Sequence, residues 1–360
     1  MKIVQIVPYF CFGGAETMCE NLTYALAALG QEVVVVSLFP EKTEISRRME
    51  AAGVKIRYLD KKPGLDVSMI PKLVKLFREE CPDVVHTHLN VIKYAAPAAR
   101  IAGVKACVHT VHNVADKEAE GPLQKITNRF YFSHGWALPV ALSPEIRRTV
   151  EEAYGVADVP VIFNGVDLSR CLPKESYRLG QPITLVHIGR FNEQKNHAGL
   201  LRAFRQLHEK YPDCRLNLLG NGELREEMEN YARELGIWES VHFLGNQADV
   251  HPWLRDADIF LLPSKYEGMP MTIIEAMGTG LPIVATAVGG VPDMLRDGES
   301  GLLVPCGEAE ICAACEKLIA TEELRRTLGK NALGDSAKYS EESMAQRYCE
   351  EYTRLLSVSR

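Results

Sequence analysis

The sequence predicts an α/β protein with two doubly wound, Rossmann-like domains, one in each half of the chain. Three observations predict it. Apolar, β-branched runs of four to seven residues alternate with amphipathic helical stretches, the signature of parallel β–α–β units. The alternation occurs twice, and between the two series lies Leu168 to Pro182, LSRCLPKESYRLGQP, rich in turn formers and without periodicity, which reads as the interdomain linker. The chain's 360 residues suit two cores of ordinary size better than one.

The first series reads as strands Ile3 to Val7, Glu32 to Leu38, Val54 to Tyr58, Val84 to Thr87, Ala106 to Val111 and Leu138 to Leu142. The second reads as Ile183 to Ile188, Arg215 to Leu219, Val241 to Leu244, Ile259 to Leu262 and Ile283 to Thr286. Buried parallel strands are expected to be near-continuous apolar runs, as these are. Helical stretches follow at Glu308 to Ala320, Glu322 to Leu333 and about Ser340 to Leu356. In the last, Met344, Tyr348, Tyr352 and Leu355 form an apolar stripe at helical spacing. The expected division is 1–170 for the first domain and 171–339 for the second.

A net charge of −6 argues against nucleic acid as a partner. The first half is near neutral and the second acidic. Basic stretches at Lys61-Lys62, Lys72 to Arg78 and Lys125 to Arg129 leave the first half open to peripheral contact with an anionic membrane, although solvated helix faces read the same way. No apolar run reaches the roughly 20 residues of a membrane span. Met1-Lys2 leads directly into a strand rather than a signal peptide, so the expectation is a cytoplasmic protein. The ten cysteines are scattered, and Cys312 and Cys315 share one helix without a second pair at zinc spacing. They are expected to be reduced thiols, with no metal site.

The richest stretch is Leu261 to Leu295, LLPSKYEGMPMTIIEAMGTGLPIVATAVGGVPDML. It places Glu267 and Glu275 across a strand-to-helix junction, with the helix starting at Met271. Backbone N–H groups at a helix start lack intrahelical partners and attract phosphate, and a carboxylate two turns on can accept from paired hydroxyls. A plain β–α unit with solvated glutamates would show the same Glu spacing.

The segment resembles the signature of the large retaining glycosyltransferase family 4, which includes bacterial polysaccharide and lipopolysaccharide sugar transferases. The family pattern is E-G-F-G-x-x-x-x-E-A-M-A-x-G-x-P-V-V-A followed by Gly-Gly. Here Glu267, Gly268, Glu275, Ala276, Met277, Gly280, Pro282, Ala285, Gly289 and Gly290 match it. Pro270 replaces the second glycine and has no N–H to donate, so sugar or phosphate contacts fall to Gly268, Met269, Met271 and Thr272. The resemblance implies the GT-B fold, two Rossmann-like domains facing a central cleft, with the last helix returning to the first domain.

Other clusters sit at strand ends, where open parallel sheets bind ligands. In GRFNEQKN after Ile188, Gly189, Arg190 and Lys195 match the family's G-R-x-x-x-x-K, and two cations there would stabilise the charge growing on a departing diphosphate. Gly13 and Gly14 precede a helix, and the resemblance has them facing donor diphosphate and acceptor. Neither half carries G-x-G-x-x-G, which disfavours a dehydrogenase. His112 occupies the family's position beside the anomeric carbon; His86, His88 and His109 are read as structural or acceptor-side. Gly220, in Leu219-Gly220-Asn221-Gly222, matches the turn near the diphosphate, and Leu244, in Phe243-Leu244-Gly245, the base-reading edge. Asn164-Gly165-Val166-Asp167 matches the family's N-G-V-D.

The resemblance implies a metal-independent, retaining transfer of a sugar from a nucleoside diphosphate donor, most often UDP-linked, to a hydroxyl of a glycan or lipid-linked acceptor, with no cofactor. Arg190, Lys195, His112 and Glu267 would carry the chemistry and Glu275 the ribose. A nucleotide-sugar epimerase, a sugar phosphorylase and a non-catalytic nucleotide-sugar-binding subunit stay open at this stage.

Overall fold

The computed structural model of the protein describes residues 1–11, 13–119 and 121–358, and the chain divides into two compact units. The first comprises Met1–Gly165 and Glu341–Arg360, the second Val166–Ser340.

In the first unit, β1 (Lys2–Val7), β2 (Glu32–Ser37), β3 (Lys55–Tyr58), β4 (Val84–His88), β5 (Ala106–Val111) and β6 (Leu138–Ala141) form one parallel sheet in the order β3-β2-β1-β4-β5-β6. Successive strands step outward from β1 to β3, then return to place β4 beside β1. The loops after β1 and β4 therefore lie next to each other at the reversal of strand order, where a crevice opens. Pro139, which has no N–H for the ladder, is confined to β6 at the sheet edge.

The second unit repeats this design. β7 (Ile183–Ile188), β8 (Cys214–Leu219), β9 (Val241–Gly245), β10 (Ile259–Leu262), β11 (Ile283–Thr286) and β12 (Leu302–Val304) are parallel in the order β12-β11-β10-β7-β8-β9. Its reversal lies between β7 and β10. The core beneath is built from strand residues such as Leu185, Leu216 and Ile259 against helix residues such as Leu200, Phe204 and Leu318. β12 is absent from the sequence reading because it has three residues and one strand neighbour, below the length at which an apolar run signals a strand.

Segment 168–182, expected as a linker, instead packs as part of the second unit. Lys174 donates its backbone N–H to Thr279 O at 2.9 Å, and Gly180 and Thr184 donate theirs to the Asp258 carboxylate at 3.0 and 2.8 Å. The buried Arg325 guanidinium reaches Tyr177 O at 2.9 Å. Turn-rich sequence marked irregular backbone here, not a free connector. The helix Glu341–Val358 belongs to the first unit, burying Met344, Tyr348 and Tyr352, with Leu355 half-buried. Among the described residues, no helix is long and apolar enough to cross a membrane.

Candidate active site

In the second unit the loops after β7 and β10 are tied together at the strand-order reversal. Asn192 caps the short turn Glu193–Lys195 by accepting from Lys195 N, and Lys265 N donates to Gln194 O at 2.8 Å. This arrangement brings Lys195 Nζ to 2.6 Å from Glu267 Oε1, although the residues are far apart in sequence. The same oxygen accepts from Ser264 Oγ at 2.5 Å, and Gln194 Nε2 donates to Glu267 Oε2 at 3.3 Å. Glu267 is buried, and these three donors offset the cost of burying its charge.

Two glycines make this packing feasible. A Cβ on Gly289, at φ +52°, would lie 1.8 Å from Glu267 O, so only glycine lets the loop after β11 meet the loop after β10. A Cβ on Gly220 would lie 2.1 Å from Gly189 O, which brings the loop after β8 against the loop carrying Arg190.

The helix that follows the β10 loop carries polar groups left without hydrogen-bond partners among the described residues. The helix Met271–Gly278 begins after Pro270 with no side-chain cap, and among the described residues the buried Thr272 Oγ1 has no hydrogen-bond partner. The half-buried Glu275 carboxyl makes no hydrogen bond among the described residues. Desolvation raises its pKa to about 7, with Arg170 opposing the rise and Asp249 adding to it. Arg190 is half-exposed and meets Glu223 at 3.2 Å. An exposed pair of this kind contributes little, so its guanidinium can exchange Glu223 for an anionic ligand at small cost. The set can bind an anion at the helix start and hydroxyls at Glu275.

In the first unit the helix Gly14–Ala28 follows β1, with Gly13 in extended backbone at its N-cap and open space where Gly14 would carry a side chain. Four histidines lie on β4, β5 and just beyond. His86 Nε2 meets Thr110 Oγ1 at 2.7 Å, and its Nδ1 meets Tyr352 Oη at 2.7 Å, which joins the terminal helix to the sheet. His109 Nδ1 meets Thr87 Oγ1 at 2.9 Å. His88 lies between Gln5 and His112, at 3.1 Å from each. Desolvation depresses all four pKa values, those of His109 and His112 to about 3, so the imidazoles are neutral near pH 7.

Comparison with known proteins assigns both halves. "Glycosyltransferase Family 4" matches residues 12–170 and "Glycosyl transferases group 1" matches residues 173–334. The chain belongs to the family 4 glycosyltransferases. Among similar proteins, the lipopolysaccharide core biosynthesis glycosyltransferase LpsE of Rhizobium meliloti is 29% identical over 90% of this chain and 92% of its own length. The UDP-Gal:alpha-D-GlcNAc-diphosphoundecaprenol alpha-1,3-galactosyltransferase of Escherichia coli is 28% identical over 74% of this chain and 73% of its own. The crystal structure of Anabaena HepE with UDP and glucose has a TM-score of 0.87 at 20% identity, covering 98% of this chain and 99% of that one, and so shares the GT-B fold.

Within this family 4 chain, the structure brings together Gly189, Lys195 and Glu267, with Arg190 on the same loop as Lys195. Glu275 lies on the helix that starts at Met271, and the side chains of Met269 and Met271 are buried. Gly220 acts here by backbone approach to Gly189, and Leu244 O accepts from Gln247 Nε2 at 2.7 Å. The sequence reading missed Ser264 and Gln194, which hold Glu267, and Gln5, which holds His88. Ser264 was findable, since Ser three residues before Glu is a spacing at which the two side chains meet. Gln5 was not, because its role depends on β1 lying beside β4.

Proposed function

We propose that this glycosyltransferase transfers a sugar, with retention of anomeric configuration, from a nucleoside diphosphate donor to a hydroxyl of a glycan or lipid-linked acceptor. The observation that carries the proposal is the buried Lys195–Glu267 pair at the β7/β10 reversal, followed along the chain by a helix start without a side-chain cap and by Glu275, whose carboxyl makes no hydrogen bond among the described residues. Arg190 and Lys195 take the diphosphate and neutralise the charge that grows as it leaves. The helix start at Met271 and Thr272, with Gly268 and Met269, takes phosphate or sugar oxygens. Glu275 accepts the ribose hydroxyls, and main-chain groups at Leu244 read the base.

Glu267 already accepts from three donors, which suits a carboxylate that orients a sugar hydroxyl and not a free nucleophile. A double displacement through a glycosyl-enzyme therefore lacks its nucleophile, and attack on the face that the diphosphate leaves accounts for retention. We assign a sugar hydroxyl to His112 and the acceptor to the first unit. UDP is the proposed base, supported by the donor named for the Escherichia coli relative, whose diphosphoundecaprenol acceptor also supports a lipid-linked one. Peripheral contact with the cytoplasmic membrane face is supported by the helix Pro122–Ser133, which exposes Leu123, Ile126 and Phe130 beside Lys125 and Arg129.

The test is diphosphate release from a panel of UDP-, GDP-, ADP- and dTDP-sugars in EDTA, with NMR of the first anomer freed by slow hydrolysis. Release with one donor, unaffected by chelation and giving the donor's own anomer, is the expected result. Loss of turnover in EDTA would refute metal independence, and the opposite anomer would refute retention.

A further inference from the structure

The contacts behind His112 have a defined direction. Thr23 Oγ1 lies 2.7 Å from Cys19 O, an acceptor only, so the hydroxyl proton is committed there. Gln5 approaches Thr23 Oγ1 at 2.7 Å and Cys19 O at 3.4 Å with the same end of its amide. That end must be the NH2 group, which turns Oε1 toward His88 Nε2. His88 Nε2 therefore carries a proton. The ring is neutral, so its Nδ1 is an acceptor, and the His112 Nε2 facing it must carry a proton too. His112 is then left with a bare lone pair on Nδ1, which makes no hydrogen bond among the described residues. Gln5 is fully buried on β1, so the arrangement is held by the sheet and not by a mobile loop.

We propose that Gln5 and His88 are positioning residues that lock His112 in its Nε2–H tautomer, so that its ring presents a hydrogen-bond acceptor and selects a hydroxyl over an anionic oxygen. The inference rests on the assignment of His112 to the sugar. Its consequence is specificity: a sugar hydroxyl donates to Nδ1, whereas a carboxylate or phosphate oxygen at that point meets a lone pair and is rejected. A free imidazole would exchange tautomers and discriminate less.

The test uses the full chain labelled with 15N-histidine, without ligand. Long-range 1H–15N spectra read the tautomer directly, with His112→Gln to assign the resonances. One Nε2–H tautomer is expected for His112 in the wild type and a mixture in Gln5→Met, which keeps the volume and removes the acceptor. Thr23→Val, which frees the Gln5 amide to turn, should also give a mixture, and Thr23→Ser should restore the single form. A mixed tautomer in the wild type, or a single Nε2–H form unchanged in folded Gln5→Met and Thr23→Val, overturns the proposal. Thermal shifts with UDP, GDP, ADP and dTDP on the same samples test the donor site independently. Their absence would remove the nucleotide-sugar reading and leave the tautomer result to decide the relay by itself.

Discussion

Glu275 makes no hydrogen bond among the described residues, and replacing it by glutamine should make the unliganded protein more stable at pH 8. Moving a carboxyl from 4.5 to about 7 corresponds to about 3 kcal/mol between its protonation states. Glu275 is partly in contact with solvent, and screening brings the expected gain to about 1–2 kcal/mol. The sign follows from proton uptake. Between pH 7 and 4.5 the folded chain holds a proton that the unfolded chain has lost, so this group's contribution is fully present below 4.5 and is lost as pH rises to 7. The advantage of Glu275→Gln in urea denaturation should thus be largest at pH 8 and shrink steadily as pH falls toward 4.5, where the wild-type carboxyl is protonated in the folded chain. Ligand binding should run the other way. If the charged form accepts ribose hydroxyls, nucleoside diphosphate affinity in calorimetry should fall about tenfold from pH 8 to pH 6 in the wild type beyond any change in Glu275→Gln. A variant less stable than wild type at pH 8, or identical pH dependence of binding in both, would rule out a desolvated, ligand-binding carboxylate at Glu275.

Lys195→Ala removes the main charge partner of a buried carboxylate, so it should lower stability by about 1–3 kcal/mol as well as abolish turnover, whereas Arg190→Ala, at an exposed pair, should impair turnover with little change in Tm. Urea unfolding beside single-turnover assays separates the two. Gly289→Ala should destabilise by more than about 2 kcal/mol and displace Glu267, because its Cβ cannot occupy a point 1.8 Å from Glu267 O; unchanged unfolding midpoint would contradict that packing. His109, buried and depressed to about 3, contributes stability present above pH 6.5 and lost as pH falls toward 3. In a Glu275→Gln background, which removes the opposite trend, unfolding free energy should drop by at least about 2 kcal/mol from pH 7 to pH 5.

Most of the sheet framework was legible because parallel strands buried on both faces advertise themselves as apolar runs, and eleven of the twelve strands among the described residues lie where those runs are. β12 escaped because Leu302–Val304 is too short to show a period. Segment 168–182 was misread because turn-forming residues describe local backbone and say nothing about what accepts its hydrogen bonds. Motif spacing located Arg190, Lys195, Glu267 and Glu275 individually. That Lys195 and Glu267 form one buried pair required the adjacency of β7 and β10, which spacing along the chain does not contain. The same holds for Gln5 and His88, whose contact follows from β1 lying beside β4. The elevated pKa of Glu275 was equally hidden, since it depends on desolvation by surrounding structure and not on neighbouring sequence.

The most direct test of a nucleoside diphosphate site in the second unit needs no acceptor: thermal unfolding of wild type and Lys195→Ala with UDP, GDP, ADP and dTDP. A diphosphate at 100 times its Kd should stabilise the wild type by about 2.7 kcal/mol. That shift is expected for one base, UDP, and is expected to vanish in folded Lys195→Ala. No shift with any diphosphate, or an equal shift in the variant, would contradict that expectation.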